Sequence, residues 1–260
     1  MRYPLRVRME HGQAAAAGQG KAGTRLARAV TEVLSPVPLL SAMDLLLGWV
    51  GGGRRPAGLL FGVLAVLISI LPPYAFVLRG VRRGRFTDHH LGDRRQRLLP
   101  ICLALLAAVA GLVALALAGA PRLLLFGIET TGAGLVAGGV ITRFWKLSGH
   151  TTAAAAVLVV CAGVGHGWPL LAAPALVLVG WARVRLHDHT VAQVIAGAAV
   201  GALTAGLMLA TPAWPALLGQ LPVESGHQQD DDADAGHDER DVVQARVVHA
   251  SAEDDAGDGG

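Results

Sequence analysis

The sequence predicts an all-α fold: a polytopic membrane helical bundle of six or seven transmembrane helices. Three observations carry this prediction. Apolar residues make up 53% of the 260 residues, more than an ordinary soluble domain needs. They gather in runs close to the roughly 20 residues that cross a bilayer as a helix. Short clusters of arginine, histidine and aspartate separate those runs.

Taken in order, residues 1–33 are basic and rich in Ala and Gly, and read as a flexible arm. They lack an apolar stretch beside Met1, so a cleaved signal peptide is not expected. Residues 34–50 are a weaker candidate span because they contain Pro36, Pro38 and Asp44. They either cross or lie as a re-entrant or interfacial piece. GGGRRP at 51–56 is a turn, as is GHGWP at 165–169. The six stronger runs are 57–78, 99–118, 123–141, 151–164, 169–184 and 190–209; the fourth and fifth are short.

Charge is segregated along the chain. Residues 1–222 carry 20 Lys/Arg against 7 Asp/Glu, while the rest holds 12 acidic residues with only Arg240 and Arg246 opposing them. The expected organisation is therefore a basic arm (1–33), a transmembrane domain (34–222) and an acidic, disordered tail (223–260). Cys102 and Cys161 each sit in an apolar run and read as buried thiols rather than a disulfide. Gly132, Gly134, Gly138 and Gly139, and Gly197 with Gly201, recur at helical spacing and read as close helix–helix contacts.

Parity places the polar clusters. Two apolar runs separate residues 79–97 from RFWKLSGH (143–150), and two more precede RVRLHDH (183–189). An even number of crossings returns each cluster to one membrane face, so Arg97, His150, Arg183 and His189 meet there. Ionisable groups at that depth are costly and point to function. Arginine offers a planar fork of donors to phosphate oxygens. Histidine transfers protons and attacks as a nucleophile near neutral pH. Together they indicate phosphoryl transfer at a lipid–water boundary. The arginines of residues 79–85 read instead as ordinary positive-inside charge.

These residues resemble the type 2 phosphatidic acid phosphatase (PAP2) superfamily over roughly residues 57–209. Arg183, five residues and His189 reproduce its last motif, with AGAAVG in the following helix. Ser148-Gly149-His150 resembles its second motif, and Arg97 in DHHLGDRRQRLLP stands at its first-motif arginine. The chain departs from the pattern at His90 (for lysine), Leu98 and Leu147 (for prolines), Ala182 (for serine) and Gln193 (for aspartate). The resemblance implies a metal-independent hydrolase without cofactors. In it His189 is the nucleophile, His150 the general acid, and Gln193 the residue that orients the nucleophile. Arg97, Arg183, Ser148, Gly149 and His90 would hold the phosphate. The implied substrate is a phospholipid phosphate or a polyprenyl (di)phosphate, met in the bilayer; nucleic acid is not an expected partner.

Other readings stay open at this stage. HDH at 187–189 with DHH at 88–90 supplies imidazoles and carboxylates of the kind that bind zinc, though without a partner of defined spacing. Asp44 and Glu129, inside apolar runs, are satisfied by interhelical hydrogen bonds, or Glu129 lines the site. A non-catalytic phosphate- or lipid-binding membrane protein on the same fold is the alternative function, with Gln193 marking lost chemistry. The protein is expected in the cell membrane, multi-pass. If residues 34–50 span, the arginine-rich face is cytoplasmic by the positive-inside rule.

Overall fold

Helix α1 (Lys21–Val33) and α2 (Pro36–Gly51) meet at a 41° bend, where Pro36 starts the second helix at the position that tolerates its missing N–H. A computed structural model describes residues 21–85, 98–165 and 171–212 of the chain. The arm and the bend differ from the sequence expectation: residues 21–33 are helical, not flexible. Ala27 and Val30 lie one turn apart and bury against Ala182, Leu34 and Leu186, which holds α1 in place. The acidic tail, residues 223–260, lies outside the described residues.

The other elements are α3 (Pro56–Arg82), α4 (Leu98–Leu117), α5 (Arg122–Phe144), α6 (Gly149–Val164), α7 (Ala173–Arg185) and α8 (Val191–Leu209). Among the described residues there is no strand. Helices α3, α4, α5 and α8 are long and apolar enough to cross a membrane, and the bent α1–α2 pair makes a fifth if it counts as one span. Helices α6 and α7 have 16 and 13 residues, short of the roughly 20 that a span needs. Leu106, Val109 and Val113 on α4, and Leu203 and Leu207 on α8, are exposed. An apolar outside of this kind suits lipid rather than water.

Helix α3 is not uniform. Val66–Ile70 winds as a π-helix just before Pro72 and Pro73. Proline lacks the N–H of the α-helical ladder, and its ring collides with the carbonyl four residues back. The wider π turn relieves that conflict without ending the helix.

Lipid gives helices little hydrophobic reason to associate, so small residues that let backbones approach decide the packing. Helices α6 and α8 are the most closely packed pair. A Cβ on Gly197 would meet the Ser148 carbonyl at 2.6 Å, and one on Gly201 would overlap the Thr152 carbonyl. Gly48 plays the same part between α2 and α3, where a Cβ would lie 2.6 Å from the Gly58 carbonyl. Gly139 also borders a close contact, since a Cβ there would lie 3.2 Å from Ile101 of α4, but Gly134 and Gly138 behave otherwise, against expectation. A Cβ on Gly134 would meet nothing within 4 Å, and all three glycines line a cavity. Cys102 is exposed and Cys161 half-buried, both free, so the buried-thiol expectation fails for Cys102. Its face of α4 points outward.

Candidate active site

Helix α7 ends in a turn that sets the spacing of its motif. The His187 N–H donates to Val184 O (3.0 Å) and the Asp188 N–H to Arg183 O (3.1 Å). This is the Schellman arrangement, which needs a left-handed residue between the two donors. His187 takes that conformation, φ 58°, where glycine is usual. The chain doubles back so that the His189 N–H also reaches Arg183 O, at 3.3 Å. Six residues of chain thus return His189 to the arginine that begins the motif.

The turn is tied down at two further points. Arg183, 1% exposed, pairs its Nη1 with Asp188 Oδ2 at 3.1 Å. The Lys146 ammonium donates to the Asp188 carbonyl at 2.6 Å. Lys146 thereby fastens the segment before α6 to the segment before α8. Sequence reading gave Lys146 no role, and no local spacing pattern would have paired it with residue 188.

Helix α8 opens with a capping box. The Gln193 N–H donates to Thr190 Oγ1, and the Thr190 N–H donates to Gln193 Oε1 at 3.2 Å. The same Oε1 lies 3.1 Å from His189 Nδ1. A backbone N–H can only donate, so the amide atom facing Thr190 is the oxygen. An oxygen beside Nδ1 requires Nδ1 to carry the proton. In the neutral ring the lone pair therefore sits on Nε2, an assignment fixed by the hydrogen-bond network. Gln193 thus holds the His189 ring through a neutral acceptor that carries no negative charge.

Helix α6 begins at Ser148, whose side chain does not cap it. The Ser148 N–H donates to Gln193 O at 3.4 Å, and Thr151 Oγ1 donates to Val194 O at 3.0 Å. These bonds hold the first turns of α6 and α8 together. Ser148 is fully buried, and its Oγ finds no hydrogen-bond partner among the described residues. An unanswered donor beside the first N–H groups of a helix favours an anion.

His150 and His189, 5% and 6% exposed, line one cavity of about 310 Å³ together with Gly149. Helices α2, α5 and α6 supply most of its wall through residues such as Leu40, Leu135 and Ala156, and Tyr74 of α3 joins them. The structure therefore brings together Ser148, Gly149, His150, Arg183, His189 and Gln193. Arg183 is held behind the cavity, paired to Asp188, and does not line it. Arg97 and His90 lie outside the described residues, as do Asp88 and His89 of the DHH cluster. Among the described residues no group of three or more His, Cys, Asp or Glu side chains is placed to hold a metal ion; His187 is exposed. Glu129 is exposed on α5 and does not line the cavity, contrary to one of its two readings. Compared with protein-family models, curated proteins and solved structures, the chain matches none of them.

Proposed function

We propose that the protein is a membrane lipid phosphatase of the PAP2 type. It removes phosphate from a phospholipid or polyprenyl (di)phosphate through a phosphohistidine. The observation that carries this reading is the pair of histidines on one mostly apolar cavity, one of them held by Gln193 with Nε2 as its basic nitrogen.

In this reading the His189 Nε2 lone pair attacks phosphorus, and the bond from phosphorus to the lipid oxygen breaks. His150 gives its proton to the leaving alkoxide. Water then attacks the phosphohistidine, His150 takes a proton back, and inorganic phosphate leaves with His189 restored. Charge building on the phosphoryl oxygens meets the first turn of α6, the Ser148 hydroxyl and the Gly149 backbone. Such preorganised donors are usually the largest catalytic contribution. Arg183 joins them when phosphate competes with Asp188 for its guanidinium, and Arg97 and His90 complete the set. No metal or cofactor takes part in these steps. On the PAP2-type fold α6 and α7 act as two short spans of a six- or seven-helix bundle in the cell membrane.

The direct test is to trap the intermediate. Protein mixed with a lipid phosphate labelled in its phosphoryl group should retain label after alkaline denaturation and release it in acid. His189→Gln should retain none. Label that persists in His189→Gln refutes the assignment.

A further inference from the structure

The histidine-bearing cavity does not end at its own walls. A second lobe of about 220 Å³ shares Pro36, Leu40, Tyr74, Ile101 and Leu135 with the first. The two adjoin between α2, α3, α4 and α5 and are treated together as a cleft, with the histidines bordering only the first. Its walls are mostly apolar, as suits the body of an amphiphile. Tyr74 and Thr131 line the second lobe too, but its two buried polar side chains are Asp44 of α2 and Ser69 of the π-helical turn.

Asp44 is 3% exposed, yet it makes no hydrogen bond or ion pair among the described residues. Ser69 is buried as well, and its Oγ likewise has no hydrogen-bond partner among them. Neither is there by accident of a loose fold. A Cβ on Gly62 would meet the Asp44 carbonyl at 2.8 Å, so the contact of α3 on α2 fixes the backbone at this point. Gly111 of α4 leaves the room that the Ser69 hydroxyl occupies. An isolated carboxyl among apolar groups is costly unless something answers it. Buried polar groups in native proteins are nearly always answered.

We propose that Asp44 is a second recognition point in this cleft, accepting a hydrogen bond from a hydroxyl or ammonium group on the ligand's apolar body. The ligand is then doubly functional: a phosphate at the histidine end, an apolar stretch, and a hydrogen-bond donor at the Asp44 end. Only the phosphate end of this statement rests on the phosphatase reading. A site built around such a bond discriminates strongly against the analogue that lacks the donor, because its own polar group is then left unanswered.

The test uses full-length protein in detergent and alkyl phosphates of graded chain length. Each is supplied in three forms, unsubstituted, with a terminal hydroxyl and with a terminal amine, and the matching alkanols and alkanediols accompany them. Affinity is read from ligand-induced thermal stabilisation. At the chain length that reaches Asp44, the hydroxyl or amine form should bind about tenfold or more tightly than the plain one. Asp44→Leu should reduce that ratio to about one. Asp44→Asn keeps an amide oxygen as acceptor and should keep a hydroxyl preference while losing any amine preference. The proposal is overturned if no chain length shows a preference, or if the preference survives Asp44→Leu. Preference among the diols and alkanols without any benefit from phosphate would sustain the Asp44 site and remove the phosphatase reading.

Discussion

The Oε1 of Gln193 lies 3.1 Å from His189 Nδ1 and 3.2 Å from the backbone nitrogen of Thr190. One oxygen therefore caps helix α8 and fixes the tautomer of the proposed nucleophile. The glutamine that stands where the resemblance has an aspartate makes the orienting bond and lacks only the charge.

That dual role separates the variants at this position. Gln193→Leu removes both bonds and should lower stability by about 1 kcal/mol, as lost caps do. Phosphate release should fall by as much as about 10⁴-fold, the scale seen when an orienting partner leaves the wrong tautomer in a serine protease. Gln193→Glu preserves the cap and restores a negative charge, so its turnover should equal or exceed the parent's. Turnover and thermal midpoint, measured side by side, check both statements. A Gln193→Leu protein with parental turnover would remove Gln193 from the account.

The glycines divide into two kinds, and stability measurements should separate them. Gly201→Val forces a branched side chain onto the Thr152 carbonyl. It should part α6 from α8 and leave little folded protein in detergent. Gly134→Ala meets open space and gains helix propensity worth up to about 1 kcal/mol. It should unfold no earlier than the parent. A Gly134→Ala protein that melts well below the parent would place that glycine in a helix contact after all.

His187 tests the turn. Its left-handed backbone costs a side chain on the order of 1 kcal/mol relative to glycine. His187→Gly should therefore raise the thermal midpoint and leave phosphate release intact, and His187→Val should do the opposite to stability. Loss of activity in His187→Gly would give the imidazole a role that its exposed position does not.

Much of this was legible in the sequence. Hydropathy placed the long helices, because a run such as 99–118 has no polar residue to compete for another position. Motif spacing singled out SGH and RVRLHDH, which the first turns of α6 and α8 hold together. The capping box was also there to be read, as Thr190 and Gln193 three residues apart ahead of an apolar run. Composition alone could not separate glycines that pack from glycines that border space, since both favour the same spacing. Nor could it pair Arg183 with Asp188 or Lys146 with the Asp188 carbonyl, contacts made by a turn whose left-handed residue is a histidine. Asp44 and Glu129 looked alike in the sequence, and only helix packing shows one inside a cleft and the other on an outer face.

The most direct measurement is phosphate release by the detergent-purified protein from a panel of lipid phosphates and prenyl diphosphates. It is run with EDTA present and with His189→Ala alongside. The expected result is metal-independent release from at least one substrate that vanishes in His189→Ala. Release equal in both proteins, or none above the variant on any substrate, would contradict the phosphatase account and leave a binding protein in its place.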